Sequence, residues 1–397
     1  MTALVSSGHS RAALCAVRSI GRAGIAVAVG APMRPALAMW SRYATATLLL
    51  PDATKNARKF AEVVAEEVEA RRALLVLCAT DAELWALSRW RDKLPESARR
   101  VLPPHDAVAR SLDRTTLHDL ARSLGVPCLD TLRVDGGGEV EPVLREAAEA
   151  GFPAMVRSLV PWEEREDGTR RETERISVHD ISGLRRLLYE QEDLSHSGCL
   201  IEPHPKGRYL GYGTVCDGGV PLVEIFRERI RERTALSGVS TLSRTIPPDP
   251  ELRELAKRLL RALSWQGPAM VECLRTEDGV LRLVTVIGRF WGSLNLAVEA
   301  GVDVPLLCYR LAEGSLLPDT MRIARPGVSM RWVTGDVEQA LNRLRATGST
   351  GRLRDRVKAI SEIVDPRVWL THNGDVYDPG DPLPFAYEIS GKVRSDV

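Results

Sequence analysis

A predicted β-hairpin constrains the fold of this chain more than any other segment. The pattern predicts a strand at 268–274, a tight turn at Asp278-Gly279 and a second strand at 280–287, because an Asp-Gly pair between apolar runs favours a tight antiparallel turn. Glu272 lies inside the apolar run of the first strand, and the second strand continues into 288–294 (GRFWGSL). Such an acid is either a surface-facing strand residue or a member of a site, and its apolar neighbours favour a site.

The composition indicates a globular protein of two or three domains. The chain has 397 residues, of which 44% are hydrophobic and 27% are charged, an ordinary balance for a protein with a sizeable core. The 54 Lys and Arg residues nearly cancel the 53 Asp and Glu residues, so no overall field favours nucleic acid or an anionic membrane. Only 5% of the residues are aromatic, which leaves no stacking platform, and we expect no nucleic-acid partner.

Cysteine usage and the start of the chain bear on the compartment. The seven cysteines are scattered and mostly set among apolar residues, which favours buried free thiols in a reducing environment. The chain begins directly with a predicted strand, and no stretch is long and apolar enough to span a bilayer. We therefore expect a cytoplasmic protein with no membrane partner. No P-loop, HExxH, GxSxG or CxxC motif competes for the function.

The N-terminal part alternates strands and helices. Apolar runs predict strands at 3–5 and 25–30, joined by a glycine-containing turn and a helix from Arg11 to about Ala23. Parallel strands need such a helical crossover, so we expect a parallel sheet. A helix at 55–71 and a strand at 73–78 continue the pattern. Because the turn lacks GxGxxG, it favours a tight β-to-α connection over a ligand-binding loop.

Beyond residue 112 the pattern changes to hairpins and amphipathic helices. A helix is predicted to begin after the N-cap Asp113 and to end at Gly125. The turn Asp217-Gly218-Gly219 predicts another hairpin. Further helices are expected at 140–150, 249–263, 294–300, 336–346 and 351–363. The tail after Pro366 is rich in Asp, Gly and Pro and is expected to be irregular.

Six segments in collinear order, covering residues 1 to about 320, resemble the carboxylate–amine ligase branch of the ATP-grasp superfamily. They are 3–44, 113–127 (DRTT … LGVP), 151–157 (GFPAMVR), 200–205 (LIEPHP), 226–241 (FRERIRE … SGVST) and 271–305, which contains the hairpin. The resemblance implies an α/β protein, α+β in its ATP-grasp part. A pre-ATP-grasp domain with a parallel sheet (1–112) would precede a two-lobed ATP-grasp domain with antiparallel sheets (113–205 and 206–310) and a C-terminal extension (311–397).

The resemblance also implies a chemistry. Ligases of this family use ATP and Mg²⁺ to convert a carboxylate to an acyl phosphate, which an amine then attacks to give an amide bond. Glu272 matches the first metal ligand, whereas Thr285 and Ile287 stand where the family has Glu and Asn. Magnesium prefers hard oxygen donors. Thr285 offers a hydroxyl and Ile287 offers no oxygen, so one metal held by Glu272 and water is the remaining mode.

The nucleotide contacts implied by the resemblance fall on charged residues. Arg114 and Arg157 stand where two ATP-contacting lysines are expected, and Glu202 matches the acid that meets the adenine edge and ribose. Arg229 and Arg231 alternate along a predicted strand and are assigned to the nucleotide site. Arginine keeps the charge of lysine but presents a planar fork, so the exchange changes the phosphate contact.

Several alternatives stay open. Arg289 corresponds to the arginine that faces the transferred phosphoryl group, and is assigned as catalytic, or it forms a structural ion pair, for example with Glu272. Residues 163–175 are either the phosphate-covering loop or a solvated charged hairpin. The chain is either a ligase with a divergent site, acting on small-molecule carboxylates and amines, or an inactive pseudoenzyme that senses nucleotide or scaffolds a partner enzyme. A homodimer is also expected from the resemblance.

Overall fold

The structure of the chain is a computed structural model. It describes residues 2–158, 162–164, 170–172, 176–190, 198–203, 206–233, 239–315, 322–346 and 373–391. None of the helices in this described part is long and apolar enough to cross a bilayer. Six of the seven cysteines are buried, Cys128 is half-buried, and all seven are free thiols, as the sequence predicts.

The N-terminal part is a four-stranded parallel sheet, as predicted. Its strands are β1 (Thr2–Val5), β2 (Ala26–Ala31), β3 (Ala46–Leu49) and β4 (Ala73–Leu77). They lie in the order β3-β2-β1-β4, and every pair is parallel. The helices are α1 (Arg11–Arg22), α2 (Ala57–Ala70), α3 (Asp81–Arg89), α4 (Glu96–Arg99) and α5 (His105–Leu112), with short 3-10 helices at Leu37–Trp40 and Arg91–Lys93.

Helix α1 is fixed at its start by a side-chain cap. The Ser10 hydroxyl accepts a hydrogen bond from the Ala13 amide at 3.0 Å, which satisfies one of the amides that have no partner within the helix. Nine of the twelve residues of α1, from Ala12 to Ile20, are buried. Its arginines recur at positions 11, 18 and 22, so they form one stripe along the helix.

The second part is a four-stranded antiparallel sheet with three helices. The sheet has the order β5-β10-β6-β9 and comprises β5 (Leu132–Val134), β6 (Ala154–Ser158), β9 (Ile176–Val178) and β10 (Cys199–Pro203). The helices are α6 (Arg114–Ser123), α7 (Val140–Ala150) and α8 (Ile181–Glu190). Asp113 caps α6 by accepting from the Thr116 amide at 2.9 Å, as predicted.

Two sequence expectations change in this part. The segment taken as a linker at 200–205 is, up to Pro203, part of strand β10. This strand pairs with β6 along its whole length and with β5 as far as Ile201, so Glu202 is held within a sheet. In the expected phosphate-covering segment, β7 (Trp162–Glu164) pairs antiparallel with β8 (Arg170–Glu172), which agrees with the hairpin alternative. The rest of that segment, 165–169 and 173–175, lies outside the described residues.

The third part is a nine-stranded sheet that contains the predicted hairpins. Its strands are β11 (Gly207–Asp217), β12 (Val220–Pro221), β13 (Val223–Glu232), β14 (Ser240–Thr245), β15 (Gly267–Thr276), β16 (Leu281–Ile287), β17 (Arg322–Ile323), β18 (Ser329–Arg331) and β19 (Asn373–Gly374). The main order is β16-β15-β11-β13-β14-β18-β19. Helices α9 (Pro250–Ala262), α10 (Leu294–Glu299), α11 (Val304–Glu313), α12 (Val333–Ala346) and α13 (Leu383–Ile389) accompany it.

The expectation of an irregular tail is wrong at Asn373–Gly374 and Leu383–Ile389, whereas residues 375–382 between them are irregular. Strand β19 joins the large sheet beside β18, and α13 lies on the 3-10 helix at Leu37–Trp40, where Tyr387 stacks on Trp40 with ring centroids 5.4 Å apart. Asp381 forms an ion pair with Arg18 of α1 at 2.9 Å. The acids that suggested loops therefore serve as partners for the arginine stripe of α1. The helix expected at 351–363 lies outside the described residues.

Candidate functional site

The predicted site hairpin lies beside the centre of the large sheet. Strand β11 separates β13 from β15, and in this register Gly211 stands opposite both Arg227 and Glu272. A Cβ at Gly211 would lie 3.0 Å from Arg227 Nε and 2.8 Å from Met270 Sδ. The absence of a side chain at Gly211 therefore lets Arg227 pass over the middle strand and reach Glu272.

Glu272 is the centre of a buried ion-pair cluster. Arg227 Nη2 donates to Glu272 Oε1, and Arg229 Nη2 donates to the same oxygen at 2.7 Å. The Glu272 side chain is 9% exposed and that of Arg229 is 4% exposed. Arg229 also pairs with Glu232 at 2.7 Å and lies over the Tyr209 ring, 4.8 Å from its centroid.

The arginines decide the protonation state of Glu272. Burial alone would raise the pKa of this carboxyl, but the charges of Arg229 and Arg227 outweigh burial and lower the pKa from its ordinary value. Glu272 is therefore an ionised acid at neutral pH, and its charge is compensated within the protein.

The remaining two predicted metal positions lie on the same face. Thr285 stands directly opposite Glu272 on β16, and Ile287 stands opposite Met270. Of the three positions, Glu272 offers a carboxylate that two guanidinium groups already bind. Thr285 offers one hydroxyl, and Ile287 offers only a hydrocarbon side chain. In the described part of the chain, no group of three or more His, Cys, Asp or Glu side chains is arranged to hold a metal ion. These residues do not fit magnesium, which requires several oxygen donors in octahedral geometry.

The three predicted nucleotide residues of the first lobe form a second cluster. Arg114 Nε lies 2.9 Å from Glu202 Oε1, and Arg157 Nε lies 2.9 Å from Glu202 Oε2. Arg114 also donates from Nη1 to the carbonyl oxygen of Val284 on β16. Arg114 thus connects the four-stranded antiparallel sheet, through Glu202, to the large sheet, through Val284, the residue before Thr285.

A buried histidine lies beside this cluster. Burial, followed by the charge of Arg114, lowers the pKa of His118 to about 4, so the ring is neutral at pH 7. Its Nε2 atom is buried and has no hydrogen-bond partner among the described residues. Burial disfavours the charged ring most, and the nearby positive charge of Arg114 adds to this effect.

The two clusters are neighbours. Burial, and then the charges of Glu232, Glu272 and Glu202, raise the pKa of the Tyr209 hydroxyl. Tyr209 therefore lies within electrostatic range of both central carboxylates. The fold brings Arg114, Arg157, Glu202, Arg229, Glu272 and Thr285 into one region, as the resemblance implies.

Arg289 and Arg231 have partners other than those considered from the sequence. Arg289 Nε pairs with Asp81 Oδ1 at 2.7 Å, at the first residue of α3, and not with Glu272. Arg231 lies beyond an irregularity in the pairing of β13 with β14 and pairs with Asp336 at 2.8 Å. Trp291, expected to be a core residue, is 2% exposed. Arg289 thus joins the segment that follows β16 to helix α3 of the N-terminal part.

Sequence reasoning missed Arg227, Asp81 and Asp336. Arg227 carried a usable signal, because it lies two residues before Arg229 and therefore points to the same face of the strand. No local sequence signal pointed to Asp81 or Asp336, because their partners, Arg289 and Arg231, are 208 and 105 residues away.

Replacing Gly211 tests whether the cluster depends on the missing side chain. We expect Gly211→Ala to lower the free energy of unfolding by about 1–3 kcal/mol, because the added Cβ forces Arg227 and Met270 to shift in a packed core. Chemical denaturation measures the change. In the matched control Gly183→Ala, the new Cβ meets only Asp180 Oδ1 at 3.5 Å, and no loss is expected. An unchanged midpoint for Gly211→Ala would show that Arg227 does not need this gap.

No protein-family model matches the chain, and no curated protein matches it. Solved structures do. N5-carboxyaminoimidazole synthetase from Staphylococcus aureus has a TM-score of 0.61 at 13% identity, over 87% of this chain and 85% of that one. The biotin carboxylase domain of 2-oxoglutarate carboxylase from Hydrogenobacter thermophilus, determined with MgADP, ADP and bicarbonate, has a TM-score of 0.60 at 15% identity, over 83% and 73%. L-amino acid ligase from Bacillus licheniformis has a TM-score of 0.59 at 13% identity, over 83% and 78%.

These three proteins are ATP-grasp carboxylate–amine ligases. The N-terminal parallel sheet of this chain, followed by antiparallel sheets, is consistent with an ATP-grasp fold. The chain therefore has the ATP-grasp fold of the carboxylate–amine ligases.

Proposed function

We propose that this chain is a nucleotide-binding ATP-grasp protein that holds phosphate with arginines, does not use magnesium and does not catalyse ligation. Its role is that of a nucleotide-responsive partner or scaffold for another protein. One observation carries the proposal: the carboxylate at the first metal position, Glu272, is bound by two buried guanidinium groups.

Electrostatics opposes a metal at this carboxylate. Two unit charges 4 Å apart repel by about 4 kcal/mol at the effective dielectric of a protein site. A divalent ion on Glu272 would face both Arg227 and Arg229, and Arg229 lies 2.7 Å from the carboxylate oxygen. Thr285 adds no negative charge to offset this repulsion. The cluster therefore disfavours the ion on which phosphoryl transfer in this fold depends.

The same cluster suits an anion. The Nε atoms of Arg227 and Arg229 are buried and have no hydrogen-bond partner among the described residues. Buried donors of this kind are normally satisfied, and a phosphate oxygen is a strong acceptor for guanidinium groups. Arg289 lies close enough to Glu272 to contribute to the lowering of its pKa. The region thus offers unused guanidinium donors to a nucleotide phosphate.

Nucleotide titrations with and without magnesium test the proposal. We expect ATP and ADP to raise the melting temperature in EDTA at least as much as in magnesium, because the arginines replace the ion. ADP release with a panel of carboxylates and amines is expected to stay at background. The variant Arg185→Met removes an exposed arginine paired with Glu141. It controls for surface charge, because its nucleotide-induced thermal shift is expected to equal that of wild type.

Two results would overturn the proposal. A thermal shift that requires magnesium would mean that the ion still binds at Glu272. ADP release that depends on both a carboxylate and an amine would identify an active ligase, the other function that the sequence suggests.

A further inference from the structure

Glu202 is the shared counter-ion of two arginines, Arg114 and Arg157, which stand where the resemblance implies ATP-contacting lysines. Each of its oxygens faces one guanidinium at 2.9 Å, Oε1 to Arg114 and Oε2 to Arg157. The carboxylate side chain is 6% exposed, compared with 12% for Arg114 and 20% for Arg157. The acid is therefore enclosed, and the arginines are the more accessible members of the cluster.

The backbone explains why this arrangement forms. In the pairing of β10 with β6, Glu202 stands opposite Met155. Arg157 lies two residues further along β6 and so points to the same face as Met155. Arg114 is the first residue of α6, where a positive charge is disfavoured by the helix dipole. Glu202 offsets that unfavourable placement.

We propose that Glu202 is an internal competitor of the nucleotide. In the free protein it occupies Arg114 and Arg157, and the phosphates of a metal-free nucleoside di- or triphosphate must displace it to bind. The inference rests on the proposed function, because it concerns the same site. Guanidinium groups bind carboxylate and phosphate through the same planar fork, so the two anions exclude each other at one arginine.

If Glu202 competes with the nucleotide, its removal changes nucleotide affinity in the opposite direction from the removal of an acid that contacts the ribose. Removing a ribose contact weakens nucleotide binding. Removing a competitor strengthens it, because the phosphates no longer have to break two ion pairs. We expect Glu202→Gln to lower the Kd for ADP and ATP in EDTA by about tenfold, which corresponds to about 1.4 kcal/mol.

Isothermal titration of the full-length chain provides the test. Wild type, Glu202→Gln and the matched control Glu141→Gln are titrated with ADP, ATP and inorganic pyrophosphate in EDTA. Glu141 is an exposed acid paired with Arg185, and its replacement is expected to leave Kd unchanged. Pyrophosphate lacks a ribose, so a lower Kd for it in Glu202→Gln isolates the effect on phosphate.

A second variant keeps the test possible if Glu202→Gln does not fold. Glu202→Asp keeps the charge but shortens the reach to both arginines, and we expect a smaller decrease in Kd in the same direction. If Glu202→Gln does not fold, Glu202→Asp decides by the same criteria.

The outcomes separate this inference from the proposed function. Metal-free binding by wild type, with equal or weaker binding by the Glu202 variants, overturns the inference and leaves the proposed function in place. Wild-type binding that appears only with magnesium overturns the proposed function and the inference with it. Tighter metal-free binding by the variants supports both.

Discussion

Glu272→Gln is expected to lower the free energy of unfolding by about 3–5 kcal/mol, the range for breaking a buried ion pair by removing one partner. The substitution removes the carboxylate that compensates Arg227 and leaves Arg229 with Glu232 alone, although the two arginine side chains are only 6% and 4% exposed. Urea denaturation at pH 7 measures the loss. The size of the effect follows from burial, since neither guanidinium reaches water when its carboxylate partner is removed.

In an ordinary metal site that lacks its ion, the same substitution is expected to raise the free energy of unfolding. There, clustered carboxylates repel one another, and removing a charge relieves the repulsion. A stability equal to or above that of wild type would therefore show that Glu272 belongs to a metal site. The matched control is Glu228→Gln on the same strand, because Arg208 and Arg244, its partners, are 61% and 50% exposed. We expect its loss to stay within about 1 kcal/mol.

The pH dependence of this effect follows from the lowered pKa of Glu272. A carboxyl whose pKa is lower in the folded state contributes stability above its unfolded pKa, which is about 4.3 for glutamate. That contribution is lost as the pH falls through the folded value. The difference between wild type and Glu272→Gln is therefore expected to be full at pH 7 and to shrink below about pH 4.

The sequence predicted the scaffold of the site better than its ion pairs. The hairpin and the cap of α6 follow from local rules, because a turn or a cap involves residues within four positions of each other. The face shared by Glu272 and Thr285 does not follow from strand alternation alone. The register shifts by one residue between Glu272 and Cys273, and without this shift Val284 would stand opposite Glu272. The pairing of β15 with β16 confirms the hairpin, and the hydrogen bond from the Thr116 amide to Asp113 confirms the cap.

The choice of partners was not predictable from local rules. The sequence suggested Arg289 as a partner of Glu272, and the fold selects Arg227 and Arg229 instead. Arg227 is 45 positions from Glu272, and its contact needs Gly211 on the strand between them. Whether Arg114 and Arg157 meet a ligand or Glu202 depends likewise on the packing of a helix against two strands. Charge alone indicates where phosphate would bind, but it does not indicate which protein carboxylate competes.

The tail shows the limit of composition as a guide. Asp, Gly and Pro favour turns, and the expected irregular segment has many of them. An acid can, however, be selected by a distant partner. Arg18 of α1 is 363 positions from Asp381, and its Nε and Nη2 atoms donate to the side chain and the carbonyl of that residue at 2.9 Å. Long-range pairing therefore orders residues that a local pattern assigns to a loop.

Asp381→Asn is expected to destabilise the chain by about 3 kcal/mol, the lower end of the range for a broken buried pair. Asp381 accepts hydrogen bonds from the Ser41 hydroxyl at 2.6 Å and the Arg42 amide at 2.9 Å, in addition to Arg18. Asp378 lies 3.8 Å from Arg18 and compensates part of the charge. Burial would raise the pKa of Asp381, but these contacts lower it, so its contribution is present above about pH 4 and lost as the pH falls further.

Hydrogen exchange locates the effect of Asp381→Asn. Because Asp381 joins the tail to α1, exchange is expected to accelerate in both 11–22 and 373–391, while the large sheet keeps its protection near Glu272. The control Asp378→Asn breaks a pair with Arg22, whose side chain is 45% exposed, and the longer 3.8 Å contact with Arg18. It is expected to cost at most about 1 kcal/mol. Faster exchange in the tail alone, with α1 unchanged, would mean that the tail rests on the N-terminal part without stabilising it. Faster exchange in both segments would instead mean that residues 373–391 complete the N-terminal part of the fold, since the arginine stripe of α1 then depends on acids from the far end of the chain.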